Sequence, residues 1–144
     1  MLKWNGEEIK KKLQAEVEMR LEILGVDAVS AANNLCPYDK GRLRGSITYA
    51  TKNKASSVSG SAKSGDEVEK PSKNGVVRIG TNVEYAAIQE FGGEIRAKNA
   101  PYLTFKIDGH WVRVKQVKIG GKFYLKGGMQ QTEKVVKQIM SFNL

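Results

Sequence analysis

The 144-residue sequence holds one cysteine, Cys36, and one histidine, His110. A lone cysteine excludes an intrachain disulfide and any argument for a secreted disulfide scaffold. Structural metal centres need several Cys or His ligands at short spacing, and one of each does not supply them. No apolar run approaches the roughly 20 residues that a membrane-spanning helix requires. The opening M-L-K-W-N-G-E-E lacks the apolar core of a signal peptide, so the expectation is a protein made and kept in the cytoplasm, with no membrane partner. Catalytic groups are equally scarce. His110 directly follows a hairpin signal and reads as an exposed strand residue rather than a base. Cys36, beside Pro37 with no histidine nearby, reads as a buried structural thiol. Gly120-Gly121 and Gly127-Gly128 lack the lysine and hydroxyl of a phosphate loop. No catalytic, cofactor-binding or metal-binding residue is assigned, and an enzyme is not expected.

What the chain does have is positive charge. Lys and Arg number 24 against 15 Asp and Glu, a formal net charge of +9. Such an excess admits nucleic acid, an anionic surface or an acidic partner, while evenly scattered lysines also serve solubility. Hydrophobic residues at 40% and charged residues at 27% describe an ordinary globular composition, which predicts a single domain over 1–144.

Asn5-Gly6-Glu7-Glu8 opens a first helix with Asn5 as its cap. Ile9, Leu13, Val17, Leu21, Leu24, Ala28, Ala31 and Leu35 then recur at steps of three and four, predicting a long amphipathic helix to Leu35. A second set, Met19, Ile23, Val26 and Val29, widens its apolar face, for burial against a sheet or for contact with a second subunit. Gly25 is a candidate bend, and Pro37 ends the helix. Residues 37–42 read as a turn, with Gly41 left-handed, and 43–51 as a first strand. From Lys52 to Asn74 the composition turns to Ser, Lys, Gly and a few acids, predicting one long flexible loop at 52–74. Further strands are expected near 75–80, 102–107 and 110–119, the last two joined by Asp108-Gly109, a strong hairpin signal. An apolar side of Met129, Val135, Val136, Ile139 and Met140 marks a C-terminal helix. The expected fold is α+β, an antiparallel sheet of about four strands with the N- and C-terminal helices packed on it.

Trp111–Lys118 interleaves an aromatic with Arg113, Lys115 and Lys118. A basic sheet face of this kind can hold single strands by stacking and charge. The favoured expectation is plainer, with Trp111 capping the core and the lysines in water.

Two stretches carry the most information. One is P-Y-D-K-G-R-L-R-G-S-I at 37–47. The other is I-G-T-N-V-E-Y-A-A-I-Q-E-F-G-G at 79–93, in which Thr81 and Glu84 have capping-box spacing and Tyr85, Ile88 and Phe91 recur at helical spacing. Together, in this order, they resemble the tail-completion, or head–tail joining, neck proteins of tailed double-stranded DNA phages and prophages, related to phage virion-morphogenesis proteins. The resemblance covers roughly 20–140. It departs before the last helix, where Ile119-Gly120-Gly121-Lys122-Phe123-Tyr124-Leu125 lacks the prolines and arginine common in those families.

The resemblance implies a non-enzymatic virion protein of the neck or tail, present in the host cytoplasm during assembly. It implies a homo-oligomeric ring between a portal-side connector or head-completion protein and a tail terminator or tail-tube protein, with passing contact with DNA. A small basic nucleic-acid-binding protein is the alternative. The candidate assembly-interface or family-motif residues are Asp39, Arg42, Arg44, Tyr85, Gln89, Glu90 and Phe91. Tyr85 and Phe91 are expected to hold the corner in the core, while Gln89 and Glu90 point outward. On that division Glu90→Lys impairs assembly and leaves the subunit folded.

Overall fold

A 30-residue helix, α1 (Gly6–Leu35), runs unbroken along the chain's first quarter. The computed structural model describes residues 4–141, so residues 1–3 and 142–144, at the ends of the expected domain and opening segment, lie outside the described residues. The remaining elements are α2 (Arg42–Ser46), β1 (Thr48–Ala50), β2 (Arg78–Gly80), α3 (Ala86–Phe91), β3 (Gly92–Arg96), β4 (Leu103–Ile107), β5 (His110–Val114), β6 (Gln116–Gly120), α4 (Tyr124–Glu133) and α5 (Val136–Ile139). The fold is α+β, as its alternating helical and strand patterns predict.

The apolar stripe of α1 is used unevenly. Leu21, Leu24, Ala28, Ala31 and Ala32 are buried, whereas Ile9, Leu13, Met19, Ile23 and Val26 are exposed. Asn5 occupies the cap position, but its side chain makes no capping hydrogen bond. Instead its carbonyl accepts from the Ile9 amide at 3.0 Å. Gly25 is a packing notch rather than a break, since a Cβ there would stand 2.6 Å from Cγ of Tyr49 on β1. A second notch seats α4: a Cβ on Gly128 would come within 2.7 Å of the Ala32 backbone. Thr132 Oγ1 on α4 donates to Asp27 of α1 at 2.7 Å. Small residues at such crossings let two helix backbones approach closely, and dispersion contacts gain from it. The core centres here, with Ala32, Cys36, Leu43, Ile47, Val83, Ala86 and Tyr124 in one buried cluster.

The four expected strands do not form one sheet. The structure has three antiparallel pairs, β1–β2, β3–β6 and β4–β5. One outer edge of the first pair is already occupied, because Ser56 N–H donates to Tyr49 O at 2.9 Å and Ser56 Oγ accepts from Tyr49 N–H at 2.9 Å. The other two pairs lie on a continuous excursion over residues 92–120, hereafter the β-arm, in which no residue is buried. Asp108 and Gly109 turn it with φ of 49° and 82°, as a two-residue hairpin of this dipeptide requires. At the arm's base Gly92 pairs with Gly120. A Cβ on Gly92 would meet Ile119 O at 2.5 Å, so the strands leave the body side by side with no room for a side chain.

Residues 43–46, expected as the start of the first strand, lie instead in the single turn α2, and the strand itself is confined to Thr48–Ala50. Gly41 adopts φ 83°, and its carbonyl accepts from the Gly45 amide at 2.9 Å, which favours the turn over an extended start. The 52–74 stretch does join β1 to β2 as a loop, yet it is tied to the body. Ser59 N–H donates to Gly45 O at 2.9 Å, Ser61 Oγ to Lys40 O at 2.8 Å and Val68 N–H to Thr48 Oγ1 at 2.8 Å. The C-terminal helix begins earlier than its apolar spacing suggests, at Tyr124, and is followed by a separate turn, α5.

Candidate assembly interface

The first of the two informative stretches is organised by Arg42, at the start of α2. Its Nε donates to Asp66 Oδ2 at 3.0 Å and its Nη2 to Asp66 Oδ1 at 2.8 Å, a two-point fork that suits a planar guanidinium. The same side chain reaches Glu84 at 2.9 and 3.2 Å. Asp66 also accepts from the Lys63 amide at 2.9 Å. The Arg42 hydrogen bonds, then the Lys63 amide, hold its carboxyl down at about 2. Glu84 is lowered too, by its own backbone amide first and Arg42 second. Arg42 therefore fastens the 52–74 loop and the second informative stretch to the first.

Asp39, Arg42, Tyr85 and Gln89 line one surface hollow of about 320 Å³ together with Pro37 and Tyr38. The guanidinium of Arg42 lies 6.0 Å from the Tyr85 ring centre. Sequences 37–47 and 79–93 thus meet in space, and four of the seven candidate residues share that meeting place. Arg44 lies on the other side of Tyr38, 4.9 Å from its ring, and donates from Nη2 to Cys36 O at 3.0 Å.

The second stretch corrects the expected division of roles. Glu90 is 4% exposed and Phe91 is 71% exposed, the reverse of the expectation for both. Tyr85, at 38%, is likewise at the surface rather than in the core. The cause is α4. Its first residues carry no Ser, Thr, Asp or Asn cap, and Phe123 at the cap position makes no side-chain hydrogen bond. Glu90 supplies the cap from elsewhere: the Leu125 amide donates to Oε2 at 2.9 Å and the Lys126 amide to Oε1 at 3.0 Å. A carboxylate there satisfies two orphan amides and lies at the positive end of the helix. Tyr124, fully buried, donates from its hydroxyl to Ala86 O at 3.1 Å and takes the interior place expected of Tyr85 and Phe91. Glu90→Lys consequently attacks the fold, not an outward surface.

The expected capping box is absent as well. Thr81 Oγ1 accepts from the Val83 amide at 3.1 Å and contacts Ser46 Oγ at 2.6 Å, α3 starts later at Ala86, and the Glu84 carboxylate is taken by Arg42. Phe91 instead borders a groove of about 660 Å³ with Ile79, Ala87, Leu125 and Met129. Cys36 is buried, and that burial pushes its thiol up to about 11, with Arg44 opposing and Glu90 adding, so it is a poor nucleophile at neutral pH. Among the described residues, no group of three or more His, Cys, Asp or Glu is placed to hold a metal ion, and no helix is long and apolar enough to cross a membrane.

The pairing of Asp66 with Arg42, the hydrogen bond of Tyr124 to Ala86 and the capping role of Glu90 went unread in the sequence. The missing cap before Tyr124 was the one available signal, since an uncapped helix start in a core must find its acceptor elsewhere.

Comparison with known proteins bears on this same region. A family model described as "Bacteriophage HK97-gp10, putative tail-component" matches residues 2–92, well over half of the chain. The chain belongs to the HK97-gp10-like family of phage tail components. No curated protein and no solved structure matches it. The HK97-gp10-like match takes in α1, the Arg42 knot, the shared hollow and the corner through Phe91, and it stops where the β-arm begins.

Proposed function

We propose that this tail component is a structural, non-enzymatic neck protein. It folds as one unit over 1–144 and joins head to tail by oligomerising as a ring between a portal-side connector and the tail terminator or tail tube. One observation carries the reading: three separate elements leave large apolar side chains uncovered. They are Met19, Ile23 and Val26 on α1, Phe91 on α3, and Met129 on α4. Contiguous uncovered apolar surface on a folded subunit marks contact with other proteins. Two distinct patches, one along α1 and one at the groove that Phe91 and Met129 share, suit heterologous contacts, which close into rings when the rotation permits. The hollow bearing Asp39, Arg42, Tyr85 and Gln89 is a further contact surface, rigid because Arg42 cross-links its walls. The virion is the site of action, and the host cytoplasm the site of assembly.

The test is co-expression with the portal-side connector and the tail-tube protein of the same genome, followed by affinity capture and negative-stain microscopy. The reading predicts capture of at least one virion protein and ring-shaped particles. Phe91→Ala and Met129→Ser should abolish both while leaving the isolated subunit's melting temperature within a few degrees, as surface changes do. A chain that captures no virion protein and forms no ring in their presence overturns it.

A further inference from the structure

The β-arm separates its chemistry by face. Between Gly92 and Gly120 it carries six Lys and Arg against two acids, a net charge of +4 out of +9 for the chain. In the β4–β5 register Leu103 faces Val114 and Phe105 faces Val112, all half-buried. Lys106 faces Trp111 and Thr104 faces Arg113, and these four, on the opposite side of the ribbon, are exposed. Trp111 is therefore neither a core cap nor part of the apolar face. It is 69% exposed and stands among cations. The Lys106 ammonium lies 5.0 Å from its ring centre and the Arg113 guanidinium 4.9 Å from that of Tyr102, so both charges are steered along the ribbon surface by aromatic faces. Arg96 and Lys118 extend this face onto the β3–β6 ribbon, where Glu94 lies opposite Lys118 and is ion-paired with Arg96, so the positive charge there is partly offset and the β4–β5 end carries the stronger field.

We propose that this basic, aromatic face of the β-arm binds DNA. An uncovered indole on a charged surface wastes apolar area unless something flat and anionic covers it, and a nucleotide is both. Phosphates pair with Lys106, Arg113, Lys115 and Lys118, and a base or sugar packs on Trp111. Two substrates share this chemistry. Unpaired strands stack on an exposed aromatic beside cations, and a two-stranded ribbon has the width to enter a duplex major groove. Either approach is open, because Thr104, Lys106, Trp111 and Arg113 are all exposed on this side of the ribbon.

Labelled single-stranded and duplex DNA, titrated with the full-length chain over a range of salt, test the proposal. One variant combines K106Q, R113Q, K115Q and K118Q; a control removes the same charge elsewhere with K10Q, K11Q, K12Q and K137Q. Binding should fall with salt at a log–log slope of about −3, and the arm variant should lose at least about tenfold more affinity than the control. Trp111→Ala should weaken the single-stranded complex if stacking dominates, or the duplex complex if groove entry does. Because no arm residue is buried, all variants should keep the circular dichroism spectrum and melting temperature of the parent, which certifies the comparison. Absence of binding, equal losses in the two charge variants, indifference to Trp111→Ala in both complexes, or equal affinity for poly-glutamate would each overturn it.

Discussion

The body and the β-arm differ in where their apolar residues go. In the body, the second half of α1, the 37–47 stretch, the corner and α4 bury Leu24, Ala28, Ala32, Ile47, Val83, Ala86 and Tyr124. In the arm, 29 consecutive residues with ordinary strand alternation bury nothing. Both regions are read equally well as amphipathic sequence, so amphipathicity alone does not say whether an apolar face is covered from within. What decides is a second element with matching notches: Gly25 and Gly128 let Tyr49 and Ala32 close the body, and the arm has no counterpart. Folding energy is therefore concentrated in the body, and the arm's surface is left for partners.

Substitutions should divide along that line. The largest effect is expected for Tyr124→Ala, which empties a fully buried aromatic site and removes the hydrogen bond to Ala86, at about 3–5 kcal/mol by denaturant unfolding. A cost below about 1 kcal/mol would mean that α4 does not seat as described. Glu90→Gln comes next. It keeps one acceptor oxygen for the Leu125 and Lys126 amides but loses the charge at the helix start, costing about 1–2 kcal/mol. If Glu90→Gln is neutral while Phe91→Ala unfolds the chain, the inward and outward assignments are reversed.

The Arg42 knot sharpens the comparison through pH. The Asp66 carboxyl is held at about 2 in the folded state, below its usual range. Its contribution is thus complete above the ordinary carboxylate range and drains away as pH falls from there toward about 2. Asp66→Asn should remove that portion of acid sensitivity and leave the rest of the pH–stability curve parallel to the parent. An unchanged acid limb would show that Asp66 is not paired in solution. The smallest effect is expected for Trp111→Ala. This is the largest kind of side chain in the arm, yet its loss should shift stability by no more than about 0.5 kcal/mol, because it is 69% exposed.

Much of this was legible in advance, for reasons that particular residues make plain. The α1 stripe, the Asp108-Gly109 hairpin, left-handed Gly41 and the proline stop are local signals, and local physics sets them. The Arg42–Asp66 pair spans a stretch with no periodicity, and nothing short-range links a loop aspartate to an arginine 24 residues earlier. The inversion of Glu90 and Phe91 was hidden for a related reason. Hydrophobicity ranked Phe91 inward, but the amides at the start of α4, more than 30 residues on, demanded a carboxylate in the interior. The splitting of one expected sheet into three was also hidden: Ser56 occupies an edge of β1 that a further strand would need, and composition does not reveal such a contact.

The division between a self-sufficient body and an uncommitted arm is tested most directly by amide hydrogen exchange on the free chain. An isolated two-stranded ribbon is marginally stable, and locally opening segments exchange far faster than a globally protected core. The account predicts slow exchange for the Leu24–Ala32 and Tyr124–Thr132 amides, at the rate set by global unfolding. Residues 93–119 should exchange orders of magnitude faster and become protected only when a partner is bound. Arm amides as slow as those of α1 and α4 in the free subunit would contradict it.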